Sequence, residues 1–460
     1  MWLMILAALD MMVPTHQSTG LWRHPRAQPE QYRDLRFWTA HAQMLERAGF
    51  DALFLADAAG VYDVFDGSGR TAIRSGMQYP ALDPLTAVSA LAAATTTLGF
   101  GVTASVSYEQ PYLLARRFAS LDHLTDGRIG WNIVTGYQES AMRNLGAGGQ
   151  LPHDARYDRA DEFMDVVCAL WEGTFEPGAL RADAESGIYL DPDLVHGAGH
   201  EGEHFSVPGP ALVAPGPQRT PYLFQAGSSP RGMAFAARHA EAMFFSGTST
   251  ASVRRLTDAA RAGLEREGRG SDAAHMLMSI TVIADSTDAE AAERAASYAQ
   301  FADRQAALAL FAGWTGLDLA PFDPQTPLAQ AVAQLTGDGA IEGNRSALQS
   351  FLELDPDRDW TVGEVAAHMC LGARGPVVIG SGATVAEELE RWMAEAGVDG
   401  FNIDYGLRDV DMTAFAEHVS PELRRRGHLP EGTRPGSTLR GRLTGADHLP
   451  STHPGAAFRR

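Results

Sequence analysis

The segment QAGSSPRG, residues 225–232, carries the plainest chemistry in the chain. A Gly-Ser-Ser turn follows an apolar run, and Pro230 suits the first residue of a helix. Free backbone N–H groups at such a helix start, with Ser228 and Ser229 beside them, would hold one phosphate after Gly227. The competing reading is that Ser229 only caps the helix. In LPHDARYDRADEF, 151–163, His153 and Tyr157 stand four apart near a helix start and so share a face. Both could reach an anionic ligand there, or form an ordinary surface pair.

A second group of polar residues closes apolar runs. GRIGWNIVTG, 127–136, sets Asn132 inside a run that ends on Thr135. A buried amide left unpaired costs about 1–3 kcal/mol, so Asn132 needs partners in the protein or in a ligand. Thr15 and His16, Asp57 and Thr103 stand similarly at or just beyond run ends. All of these are neutral or acidic, which does not suit a substrate rich in phosphates.

Other chemistries find no support. All 37 basic residues are Arg, so Schiff-base lysines and P-loops are excluded. There is no GxSxG elbow and no GxGxxG after a strand. His196, His200 and His204 are spaced by four, but in a Gly-rich stretch with a doubtful helix, and no metal is expected. Cys168 and Cys370 lie far apart in apolar contexts, which fits free thiols in a reducing compartment.

The elements that must position these residues alternate. A short apolar run is followed by a polar loop and then a helix-length amphipathic stretch, the pattern of βα units and a parallel sheet. The runs are 5–11, 52–56, 98–103, 129–135, 222–226, 242–246, 277–284 and 400–404. Eight strands predict an α/β fold of the (β/α)8 TIM-barrel kind, whereas a doubly wound open sheet does not need eight. In such a barrel, polar residues at the C-terminal strand ends form the site. Asp83-Pro84 predicts a helix start, and Thr384 with Glu387 predicts a capping box.

One barrel domain over 1–426 is expected, with insertions at about 173–220 and 286–380 on its C-terminal face. Residues 427–460, rich in Gly, Pro and Arg, read as an arm or a disordered tail. MWLMILAALDMM lacks a basic n-region and a small-residue cleavage site, so it reads as a first strand rather than a signal segment. The formal charge of −20 without a basic stripe gives no support to nucleic-acid or anionic-membrane binding.

THQSTGLWRHP (15–25), FLAD (54–57), GWNIVTGYQESAMRNLG (130–146), HDARYDRADEF (153–163), QAGSSPRGMAFAARHAEAMF (225–244) and VDGFNID (398–404) occur in this order. Together they resemble the bacterial luciferase-like flavin monooxygenases, nearest to the nitrilotriacetate, dibenzothiophene-sulfone and long-chain-alkane monooxygenase group. The resemblance spans roughly residues 5–426. It implies a cytoplasmic enzyme that takes dissociable reduced FMN from a separate NAD(P)H:flavin reductase. With O2, a peroxyflavin would oxygenate a small organic substrate. By matched position, Asp57, Thr103 and Thr135 would contact the ring or ribityl region, and His153, Tyr157, Gly227, Ser228 and Ser229 the ribityl chain and phosphate. His16, Tyr62, Gln78 and Tyr137 would form the catalytic, substrate-side wall. A homodimer or homotetramer is also implied. A deazaflavin-dependent oxidoreductase on the same barrel, or a non-catalytic flavin-binding protein, remains the alternative.

Overall fold

The computed structural model describes residues 3–146, 149–227, 229–336, 348, 351–352, 358–432, 434 and 436–460. Eight parallel strands close a barrel in the order β1 (Ile5–Met11), β2 (Ala52–Ala56), β3 (Gly99–Ser105), β4 (Ile129–Val134), β9 (Tyr222–Gln225), β10 (Ala242–Phe245), β11 (His275–Asp285) and β13 (Gly400–Asp404). β13 returns to β1 with Ile5 opposite Gly400, and β10 pairs with β11 through Ala242 and His275. The eight expected runs are these eight strands, and the barrel is the expected fold.

Between β4 and β9 lie two small antiparallel pairs. They are β5 (Leu180–Asp183) with β6 (Ile188–Leu190), and β7 (His200–Glu201) with β8 (Ser206–Val207). Between β11 and β13 come helices Asp288–Ala299, Arg304–Thr315, Leu328–Thr336 and Val362–Met369, then β12 (Val377–Ser381). β12 pairs only with the far half of β11, from Thr281 opposite Val377 onward, and so extends the sheet outside the closed barrel.

Strand alternation sorts the side chains. Ile5, Ala7 and Leu9 of β1 face the barrel interior with Phe54, Phe224 and Phe244, while Leu6 and Ala8 join the outer core under the helices. The three phenylalanines pack with ring centroids 4.6–5.6 Å apart. Two glycines make room for them. A Cβ at Gly101 would stand 2.8 Å from Phe54, and one at Gly130 2.6 Å from Phe224.

One local expectation is corrected. The helix Gly382–Ala396 is capped by Ser381, which accepts from the Thr384 N–H, rather than by Thr384 with Glu387. Thr384 is already inside the first turn, and its hydroxyl donates instead to Asp288 at 2.7 Å. The arm 427–460 holds the helix Leu439–Thr444 across the barrel base. Leu439 enters the interior cluster, and Arg440, fully buried, pairs with both Glu241 oxygens at 2.6 and 2.8 Å. Among the described residues no helix is long and apolar enough to cross a membrane.

Candidate active site

At the C-terminal mouth of the barrel, strand ends and insertion segments enclose a cavity of about 400 Å³. Asp57, Thr103, Thr135, His153, Tyr157, Gly227 and Ser229 all line it. Ser228 lies outside the described residues. Residues spread over 172 positions of sequence meet here because each follows or ends a strand that points the same way.

One end is built around the helix Pro230–His239. Ser229 is its N-cap and accepts from the Gly232 N–H at 3.1 Å, with Pro230 opening the helix as read from the sequence. The Ser229 hydroxyl also sits 3.2 Å from His153 Nε2. Capping and ligand contact are therefore compatible for one hydroxyl. His153 opens the helix His153–Gly173, and its ring lies 5.3 Å from that of Tyr157, one turn on. Tyr157 lies beside Thr135 and Ser229, and burial raises its phenol. The backbone is close: a Cβ at Gly227 would lie 2.5 Å from Gln225 Nε2, and one at Gly232 2.7 Å from the Tyr157 hydroxyl.

The floor answers the question of Asn132. Its Nδ2 donates to Thr103 Oγ1 at 2.9 Å, across the β3–β4 register in which the two residues are paired. Its Oδ1 is buried and accepts nothing, and Asn402 Oδ1 on β13 is in the same condition. Both asparagines line the cavity. Two buried acceptors facing one space fit a ligand with N–H groups, as a flavin ring has. Asp57 stands at the rim, and burial raises its carboxyl to about 6, with the Asp83 charge adding to the effect.

Of the four residues expected on the catalytic wall, only Tyr137 lines the cavity. Behind it the Tyr137 and Tyr62 hydroxyls are 2.9 Å apart. Tyr62 donates to Gln78 Oε1 at 2.8 Å, and Gln78 Nε2 donates to the His16 carbonyl at 3.1 Å. Trp314 Nε1 donates to the Tyr62 oxygen at 3.2 Å. The structure thus joins Tyr62 and Gln78 to the site through hydrogen bonds. The His16 ring is not brought to the cavity. It packs against Tyr405 and lies 3.4 Å from Asp404, in the wall of a separate cleft.

Several wall residues escaped the sequence reading. Arg374 and Arg156 also face the cavity, so its lining is not wholly neutral or acidic. Arg374 lies over the Trp314 ring at 5.0 Å, and burial lowers its guanidinium to about 10. It comes from an insertion with no motif to mark it. Asn402 had a signal, an asparagine inside an apolar strand, of the same kind as Asn132. Of the insertion aromatics, Phe311 and Trp314 both belong to the adjoining core, and Trp314 also lines the cavity. His196 and His200 pair with Glu176 and Glu162, and no metal-holding cluster exists among the described residues.

Known proteins carry the same plan. The luciferase-like monooxygenase family model matches residues 11–400. A dimethyl-sulfide monooxygenase of Hyphomicrobium sulfonivorans is 45% identical over 457 residues, covering 99% of this chain and 93% of that protein. Component A of nitrilotriacetate monooxygenase from Aminobacter aminovorans is 32% identical over 440 residues, covering 95% and 94%. A crystal structure of a riboflavin lyase with modified FMN and riboflavin superposes with a TM-score of 0.91 at 36% identity, over the whole of both chains. With a matching barrel and a matching model over most of its length, the chain belongs to the luciferase-like monooxygenase family and is a flavin-dependent monooxygenase.

Proposed function

We propose that the chain is the oxygenase of a two-component system, taking reduced FMN from a separate NAD(P)H:flavin reductase and oxygenating a small organic substrate with O2. One observation carries this reading: all seven described residues expected at the flavin face a single cavity. Reduced FMN would supply two electrons, so that one oxygen atom enters the substrate and the other leaves as water.

The remaining tasks belong to the chain. The start of the helix Pro230–His239, with Ser229 and His153, would hold the phosphate through N–H and hydroxyl donors. Asn132 and Asn402 would accept from ring N–H groups, with Asn132 held in place by its bond to Thr103. Trp314 and Tyr137 line the space and would help to exclude water from the bound flavin. Arg374 adds a buried cation to the substrate side.

Ser229→Asp tests the phosphate end. Aspartate is as good an N-cap as serine, so the helix should persist. The added carboxylate repels a phosphate by about 1 kcal/mol at 4 Å in water and by about 4 at an effective dielectric constant of 20. The dissociation constant for reduced FMN, from anaerobic titration, should therefore rise at least about fivefold with the melting temperature retained. Unchanged affinity in the folded variant would remove this segment from the flavin site. No binding of reduced FMN by the wild type would sink the reading itself.

A further inference from the structure

The hydrogen-bond chain behind the cavity has only one possible direction. The His16 carbonyl accepts from Gln78, which fixes the Gln78 amide with its nitrogen toward His16 and its oxygen toward Tyr62. Reversing the amide would set two acceptors against each other. The single Tyr62 proton is therefore spent on Gln78. At the same oxygen the Trp314 indole can only donate. The remaining bond, between Tyr62 and Tyr137, must then be donated by Tyr137. A carbonyl at one end and an indole N–H at the side cannot exchange roles, so the order is locked.

The consequence appears at the cavity wall. Tyr137 turns its proton inward and leaves its oxygen lone pairs as what it can offer outward. Arg374 supports this polarity, because its charge acts on Tyr137 from the same wall and a cation favours lone pairs over a hydroxyl proton. Burial and the inward bond both hold the Tyr137 phenol well above its ordinary value.

Resting on the flavin reading above, we propose that Tyr137 is a hydrogen-bond acceptor toward the cavity and not an acid, positioning an N–H or O–H group of the bound ligand. Tyr62, Gln78 and Trp314 are the residues that hold it in that state. The donor belongs either to the substrate or to the reduced flavin ring, which gains N–H on reduction.

Two variants read the polarity. Tyr137→Phe deletes the acceptor, and Tyr62→Phe releases the Tyr137 proton so that it can turn to the cavity. Each is checked for an unchanged circular dichroism spectrum and melting transition. One arm measures phenol against anisole binding by Trp fluorescence, and the other reduced against oxidised FMN by anaerobic titration. In the arm that contains the true donor, wild type should favour the donor-bearing ligand. The preference should fall about fivefold to tenfold in both variants, the scale of one net hydrogen bond. A fall in the phenol arm assigns the donor to substrate, and a fall in the FMN arm assigns it to the flavin. If both ratios stay at the wild-type value in folded Tyr137→Phe, or if Tyr62→Phe strengthens the preference, the acceptor role is overturned. Failure of wild type to bind FMN overturns the flavin reading instead and leaves the phenol arm to decide Tyr137.

Discussion

Asp57 shows how the cavity changes the chemistry of one side chain. Its carboxyl keeps a proton up to about pH 6 because the enclosing wall disfavours the charge, with Asp83 adding repulsion. In the unfolded chain the proton leaves near the ordinary value, 3.8. The native state therefore binds more protons between these values, and the Asp57 contribution to stability falls as pH rises through that window. Because the side chain is open to the cavity, solvent screening keeps the effect modest. Asp57→Asn removes the titration. Its melting temperature relative to wild type should climb from pH 4 to pH 7 and then level off, as calorimetry at stepped pH would show. A constant difference across that range would mean that the carboxyl titrates as in the unfolded chain. The same residue scale explains Ser229, where one hydroxyl both ends a helix and faces the cavity.

At the scale of the element, the β3 and β4 strands are shaped by what they lack. Gly130 faces the Phe224 ring, and a Cβ there would meet Phe224 Cε2 at 2.6 Å and the Tyr222 carbonyl at 3.0 Å. The ring cannot retreat, since it is stacked against Phe244 and packed on Phe54. Gly130→Ala should therefore destabilise the protein by about 1–3 kcal/mol, the usual cost of overpacking a core. Denaturant unfolding measures it, and a loss below about 0.5 kcal/mol would show that the barrel floor can yield. Two residues further along the same strand, Asn132 reaches the cavity, so a shift of β4 should also weaken FMN binding.

For the whole molecule, the arm at the chain end closes the barrel base. Arg440 is fully buried and bonds Glu241 as well as the carbonyls of Gln218, Thr220, Pro221 and Asp447. Such a pair is weak evidence of net stabilisation, but removing one partner strands the other charge. Arg440→Met should cost about 3–5 kcal/mol. Adding Glu241→Gln should recover part of that loss, because Gln keeps an acceptor for the Leu223 N–H without the charge. Equal stability of the single and double variants in denaturant melts would show that the arm is held by Leu439 packing alone.

The strand count, the barrel and much of the cavity lining were legible in the sequence. Short continuous apolar runs mark strands buried on both faces, and strand-end polar residues in a parallel barrel must share one face. QAGSSPRG and the His153–Tyr157 pair were legible for the same reason: local turn and helix geometry sets where those side chains point. Only the tertiary structure decided what depends on long-range packing. It set the His16 ring beside Asp404 instead of the cavity, and brought Arg374 and Trp314 over the mouth from an insertion. It placed Leu439 and Arg440 of the arm in the barrel base. It also oriented the chain from Gln78 to Tyr137, whose members lie up to 252 positions from Trp314 in the case of Tyr62. No local pattern encodes the direction of a hydrogen bond; that follows from which donors and acceptors the fold brings together.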